Sequence, residues 1–135
     1  MISFTMRGSH RQSEAFLRKL QKIDIPSVLR KHGQAGADAL SKATPIDSSL
    51  ASQSWGYEVS SSGGVHRITW TNSDIETGFP VAVMLQYGYG TGTGGYVQGV
   101  DYINPAIRPI FDKISADVWK AVTSLWLQSK NALSE

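Results

Sequence analysis

Polar and apolar residues alternate from the start of the chain: Ile2, Phe4 and Met6 stand against Ser3, Thr5 and Arg7. That alternation predicts a short half-buried strand, ended by Gly8. The spacing then becomes helical. Ser9 with Gln12 makes a capping box, and Phe16, Leu17, Leu20 and Ile23 follow on one face, predicting a helix over about residues 10–22. Pro26 suits the first turn of a second helix, whose stripe is Val28, Leu29, His32, Ala35, Gly36, Ala39, Leu40 and Ala43. So many small residues let this helix approach its partner closely. Thr44-Pro45 ends it, because the residue before proline is driven out of the helical region. Asp47 is placed to cap a short turn through Leu50.

The alternation returns in Trp55, Tyr57 and Val59, breaks at Ser61 to Gly64, and resumes in His66, Ile68 and Trp70. Aromatic and β-branched alternation on both sides of a Gly-Gly pair predicts a hairpin, closed off by Asn72-Ser-Asp74. Phe79 to Tyr87 is a continuous apolar run, read as helix rather than strand. Asn104-Pro105 offers a cap and a first-turn proline, but Pro109 lacks the N–H a helix interior uses, so regular helix is expected from near Pro109 to about Asn131. Its stripe is Ile110, Phe111, Ile114, Val118, Val122 and Leu125, with Trp119 and Trp126 two turns apart and close to that stripe.

These elements predict an α+β fold in a single domain, residues 1–135. A small antiparallel sheet, the N-terminal strand plus the hairpin, is packed by two N-terminal helices and a long C-terminal helix. Three strands make a small sheet, which leaves room for a neighbour to extend it.

Composition narrows the chemistry. The chain has no cysteine, which removes disulfides and thiolate metal sites. His10, His32 and His66 are not spaced with one another or with carboxylates as metal ligands require, so no metal and no cofactor is expected. His32 falls on an apolar stripe, where a hydrogen-bonded core histidine is the common outcome. No serine sits in a nucleophile elbow, and the carboxylates are scattered, so no catalytic residue is assigned. Asp112, Lys113, Asp117 and Lys120 read as the solvated side of the last helix. No apolar run approaches a membrane span and no leader pattern opens the chain, which points to the cytoplasm. A net charge of +2 does not by itself imply nucleic acid, and the early basic residues read as a solvated helix face.

Between the apolar run and the last helix, Gly88, Gly90, Gly92, Gly94, Gly95 and Gly99 punctuate an expected flexible loop over residues 88–101. Gly90, Gly92 and Gly95 match the dinucleotide spacing, but no helix opens directly after them and no P-loop lysine follows. From Pro80 to Ile107 there is no basic residue, so the loop has no electrostatic grip on a phosphate backbone. A nucleotide- or nucleic-acid-binding module is the weaker alternative. Tyrosine supplies large contact area with few rotors. A protein-docking loop is therefore the leading reading, with Tyr87, Tyr89, Gly90, Gly92, Gly94, Gly95, Tyr96, Gln98 and Tyr102 as candidate subunit or ring contacts.

Two stretches carry a family resemblance. Thr44-Pro-Ile-Asp47-Ser-Ser-Leu-Ala-Ser-Gln-Ser54-Trp55 resembles the T-P-V-D-T-G-x-L-x-x-S-W signature of a phage morphogenesis family. Its members are tail-completion or head–tail joining proteins of tailed bacteriophages, prophages and phage-tail-like bacteriocins. Leu85-Gln-Tyr-Gly88, the Gly-rich loop and Asn104-Pro-Ala-Ile107 resemble the segment before that family's C-terminal helix. Ser49 stands where the signature has glycine, so the turn there is wound differently or less comfortably. The resemblance implies structural roles for Pro45, Asp47 and Trp55, with Asp47 as a helix cap and Trp55 as an anchor. It also implies a non-enzymatic virion or tail-like-particle component, a hexameric ring at the head-proximal end of the tail. Its expected partners are further copies of itself and tail tube, terminator or connector proteins, with no membrane and no specific nucleic acid. A tail terminator that caps tube polymerisation is the alternative within that class. The protein would reside in the bacterial cytoplasm during assembly, then in the particle.

Overall fold

A computed structural model describes residues 2–7, 18, 22–45, 49–76 and 78–133. The fold is α+β, as the sequence predicts. Strand β1 (Ile2–Arg7), β2 (Trp55–Ser62) and β3 (Val65–Asn72) form an antiparallel sheet in the order β1-β3-β2. Helix α1 (Ile25–Ala43) and the long α4 (Ile103–Leu133) pack against each other, and α1 lies on β2 and β3. The helix expected over residues 10–22 lies almost wholly outside the described residues, as do Gly8 and Asp47.

The hairpin obeys its local chemistry. Gly63 and Gly64 both take positive φ, 57° and 77°, which a two-residue turn matched to strand twist requires. The strands run to that turn, so Ser61 and Ser62 belong to β2 rather than to the loop. The register pairs Val59 with Ile68 and Tyr57 with Trp70, while β1 sets Ile2 opposite Trp70 and Phe4 opposite Ile68. Trp70 and Ile68 are fully buried. Asn72 closes the sheet from inside: its amide donates to the Ala51 carbonyl at 2.7 Å, beside the one-turn helix α2 (Ser49–Ser52), and its Oδ1 accepts from the Asp74 N–H at 2.9 Å.

Helix α1 begins and ends where its sequence says. Asp24 caps it, accepting from the Ser27 N–H at 3.2 Å and the Ser27 hydroxyl at 2.6 Å, which together hold its carboxyl below the usual range. At the other end Thr44 turns extended before Pro45, and its N–H and hydroxyl both donate to the Leu40 carbonyl. The buried stripe is Ile25, Leu29, His32, Gly33, Gly36, Ala37 and Leu40. Ala35, expected on that stripe, is exposed instead. The close approach is to the sheet. The Tyr57 ring sits over Gly33, a Cβ on Gly36 would lie 2.6 Å from the Trp70 indole, and that indole N–H donates to the Gly33 carbonyl at 2.9 Å.

Helix α4 corrects the expected start. It runs from Ile103, with Pro109 inside it. Pro109 removes one ladder bond, but the residue is exposed, so water can take up the freed carbonyl. The stripe runs Ile103, Ile107, Ile110, Ile114 and Val118, and Phe111 lies 6.0 Å from the Trp70 ring centroid. Trp119 and Trp126 do not join it: they are 72% and 52% exposed. Among the described residues no helix is long and apolar enough to cross a membrane.

Two small ribbons were not anticipated. Strands β4 (Ile75–Glu76) and β5 (Phe79–Pro80) pair around Gly78, leading into helix α3 (Val81–Tyr87). The apolar run is therefore helical from Val81, with Phe79 and Pro80 drawn into the ribbon. The second ribbon, β6 (Gly88–Gly90) with β7 (Tyr96–Gln98), is made by the glycine-rich segment itself.

One more correction joins the two main helices. Asp117 was expected on the solvated side of α4, yet its carboxylate lies 2.6 Å from His32 Nε2 and 3.1 Å from Lys31 Nζ. His32 is buried, as its place on the stripe predicts. The His32 bond first, then the Lys31 bond, lowers the Asp117 pKa below its ordinary 3.8. A lowered folded pKa stabilises above the unfolded value and ceases to do so as pH falls through the folded one. An Asp117→Asn protein is therefore expected to melt at a lower temperature than the parent at neutral pH. The two melting curves should converge as pH is taken below about 3.8, read by circular dichroism across a pH series.

Candidate functional site

The glycine-rich segment rises from the C-terminus of α3. Gly88 closes that helix at φ 84°, its N–H donating to the Met84 carbonyl, and the chain turns directly into β6. Tyr89 pairs with Val97 and Gly90 with Tyr96. At the tip the Thr91 N–H donates to the Gly95 carbonyl at 3.0 Å, and the Gly95 N–H returns to the Thr91 hydroxyl at 3.1 Å. Gly92 and Gly94 take φ of 80° and 90°, conformations a side chain would strain. The expected loop is thus a hairpin whose glycines are spent on turning.

Its root is fixed by one residue. Gln86 is buried at the end of α3, and its Oε1 accepts from the N–H groups of Tyr102 at 3.0 Å and Ile103 at 2.9 Å. Its amide donates to Asp101 Oδ1 at 2.6 Å, and Asn104 donates to the same oxygen at 3.0 Å. The Val100 N–H reaches the Leu85 carbonyl at 3.0 Å, and the Tyr96 hydroxyl reaches the Tyr87 carbonyl at 3.2 Å. Both feet of the ribbon are therefore tied to α3, and one of them to the first turn of α4. Gln86 is the residue the sequence reading missed. Its signal was available: it is the one strongly polar side chain inside Val81–Tyr87.

The structure brings together most of the candidate contact residues and removes one. Residues 90–98 are all exposed, Tyr96 to 65% and Tyr87 to 71%, while Tyr89 is half-buried. Tyr102 is not a contact residue. It is buried, its hydroxyl donates to the Ala82 carbonyl at 2.6 Å, and burial pushes its phenol up to about 12. Of the signature residues, Trp55 is half-buried at the start of β2 and its indole N–H donates to the Thr44 hydroxyl at 2.9 Å. Two ends of the signature stretch thus meet at the C-cap of α1. Pro45 leads the chain away from that cap, and Asp47 lies outside the described residues.

The N-terminus of α4, which follows the glycine-rich segment, offers little to an anion. At the N-terminus of α4 the N–H groups of Tyr102 and Ile103 are already committed to Gln86, Pro105 has none, and the Asp101 carboxylate stands alongside. An anion there would meet a negative charge and few free donors. Among the described residues no group of three His, Cys, Asp or Glu is placed to hold a metal. His66 bonds across its hairpin to the Ser61 hydroxyl at 2.8 Å.

Two grooves complete the surface. One, of about 350 Å³, runs between the start of α1 and the far end of α4, past Ile23, Val28, Ala121 and Leu125. The other, of about 370 Å³, lies beside the root of the ribbon, between β1, α3 and α4. What these surfaces offer chemically is contact: exposed tyrosine, bare backbone and apolar hollows. Comparison with protein-family models, with curated proteins and with solved structures finds no match for this chain.

Proposed function

We propose that the protein is a structural assembly component of a phage tail or tail-like particle, a tail-completion or head–tail joining protein. It would act without catalysis, as a ring of six copies at the head-proximal end of the tail. The observation that carries this reading is the β6–β7 ribbon: an uncharged Tyr/Gly hairpin, exposed from Gly90 to Gln98, on a root locked by buried hydrogen bonds. A stiff base with an exposed aromatic end presents contact area without a large ordering cost on docking. The resemblance of the Thr44–Trp55 and Leu85–Ile107 stretches to the phage morphogenesis family supplies the particle. On this reading the chain gathers in the bacterial cytoplasm and ends in the particle.

The test is a gene in which residues 90–96 are replaced by a two-residue turn, leaving the Gln86 and Leu85–Val100 bonds of the root intact. The variant should unfold at nearly the parent temperature. Particle yield should fall by about an order of magnitude, as expected when the exposed Tyr96 anchor is removed from an interface together with the ribbon that presents it. Normal yield with normal tail length would sink the proposal, and overlong tails would assign the protein to capping the tube.

A further inference from the structure

Among the described residues β1 pairs on one side only, with β3, and no described strand takes up the backbone groups along its other edge. The groove of about 370 Å³ lies at the start of that edge. Ile2, Val83, Ile107 and Phe111 make its apolar walls, with Ser3 and Asn104 as polar groups among the lining. None of the described residues that line it is charged.

That chemistry selects an occupant. A charged side chain entering the groove would lose its hydration and find no counter-charge. A tyrosine would bury its ring against the walls and keep its hydroxyl near Ser3 or Asn104, the division its two ends favour. An extended strand could in addition hydrogen-bond to the edge of β1, as peptides do when they extend a sheet. The chain carries a segment of this kind. From Thr77 to Val100 there is no charged residue, and within it the ribbon is extended and exposes Tyr96 and Val97. The ribbon of the same chain does not lie in this groove, since none of residues 88–98 lines it.

We propose that the β6–β7 ribbon of one copy docks in the groove and along the β1 edge of the next copy. The inference rests on the assembly reading above and names its self-contact. Donor and acceptor are different patches, so the contact can repeat head-to-tail from copy to copy, the kind that closes into a ring when the rotation allows. Both patches start from the same place, Gln86 and Tyr87, so each subunit gives and receives at adjacent points.

The chain has no cysteine, so engineered pairs report cleanly. Full-length Ser3→Cys protein, marked at the groove, is mixed with full-length Thr93→Cys or Gln98→Cys protein, marked on the ribbon, and oxidised. Only contact between copies can then join them, because a disulfide needs the two backbones within about 7 Å. The expected result is a mixed disulfide dimer as the main product with at least one ribbon position. It should be lost when Val83→Arg is added to the groove partner, with that partner's melting temperature measured alongside. Absence of mixed product, or ribbon-to-ribbon dimers alone, overturns the proposal. If that happens while the ribbon-shortened gene still fails to build particles, the assembly reading survives and only the groove is wrong. Normal particles from that gene would bring down both.

Discussion

Replacing Gly36 by alanine should destabilise the protein by about 2 kcal/mol, although alanine is the better helix former. Intrinsic propensity alone predicts a gain of about 1 kcal/mol at a helix interior. Sterics oppose it. The added Cβ would lie 2.6 Å from the Trp70 indole, a separation that forces something to move. Trp70 cannot swing away cheaply, being fully buried, packed on Phe111, and bonded through its indole N–H to the Gly33 carbonyl at 2.9 Å. Overpacking of a filled core costs about 1–3 kcal/mol and occasionally more; an approach this close to so constrained a ring belongs at the upper end, and about 3 kcal/mol of clash less the propensity gain leaves a net loss of about 2. The melting temperature should fall by about 6–10 °C, taking about 3–5 °C per kcal/mol for a domain of this size. An unchanged or higher melting temperature by calorimetry would mean that α1 does not approach the sheet this closely.

The second large effect belongs to Gln86. A Gln86→Leu protein keeps most of the volume and loses the acceptor for two N–H groups, those of Tyr102 and Ile103. Each buried donor left unpaired costs about 1–3 kcal/mol, so a loss of about 2–6 kcal/mol is expected. Asp101 also loses the Gln86 amide, though Asn104 remains on the same oxygen. Amide exchange distinguishes this from general loosening. Protection should fall first at Val100, Tyr102 and Ile103 and along the ribbon, with the β2–β3 hairpin unaffected until global unfolding. Uniform loss of protection would argue that Gln86 is one core residue among many. Gln86→Glu separates the two halves of the side chain: it keeps the acceptor but sets a buried carboxylate against Asp101, so its destabilisation should grow as pH rises and both groups ionise.

Where cause lies close along the chain, the fold was legible. Gly63-Gly64 between alternating strands predicts its own hairpin, and Asp24, Pro26 and Thr44-Pro45 mark both ends of α1. The spacing of Ile110, Ile114 and Val118 predicts the buried side of α4. The misreadings share a physical origin, in that partners far along the chain decided them. Helix α4 starts at Ile103 because Gln86 accepts its first N–H groups, so the proline-based start was too late. Asp117 looks like any surface carboxylate until α1 brings His32 to it. Tyr102 has the same composition context as Tyr87 and Tyr96, yet the Ala82 carbonyl waits beneath it. Trp119 and Trp126 are apolar enough for either the core or a subunit contact, and their place around the helix from Ile114 and Val118 takes them out of the core alone. For the ribbon, glycine at alternate positions hides the strand signal that β-branched residues would give. Its exposed tyrosines were still identifiable.

Gln86 also determines where a load on the ribbon would go. A pull on Tyr89 or Tyr96 would reach the root, where the Val100 N–H meets the Leu85 carbonyl and the Gln86 amide meets Asp101. Because the same Gln86 side chain holds the first turn of α4, tension passes into the longest helix and through it to Trp70 and the sheet. The tether is therefore in series with the core. Detaching the ribbon under force means breaking buried hydrogen bonds together, instead of peeling an independent hairpin one pair at a time.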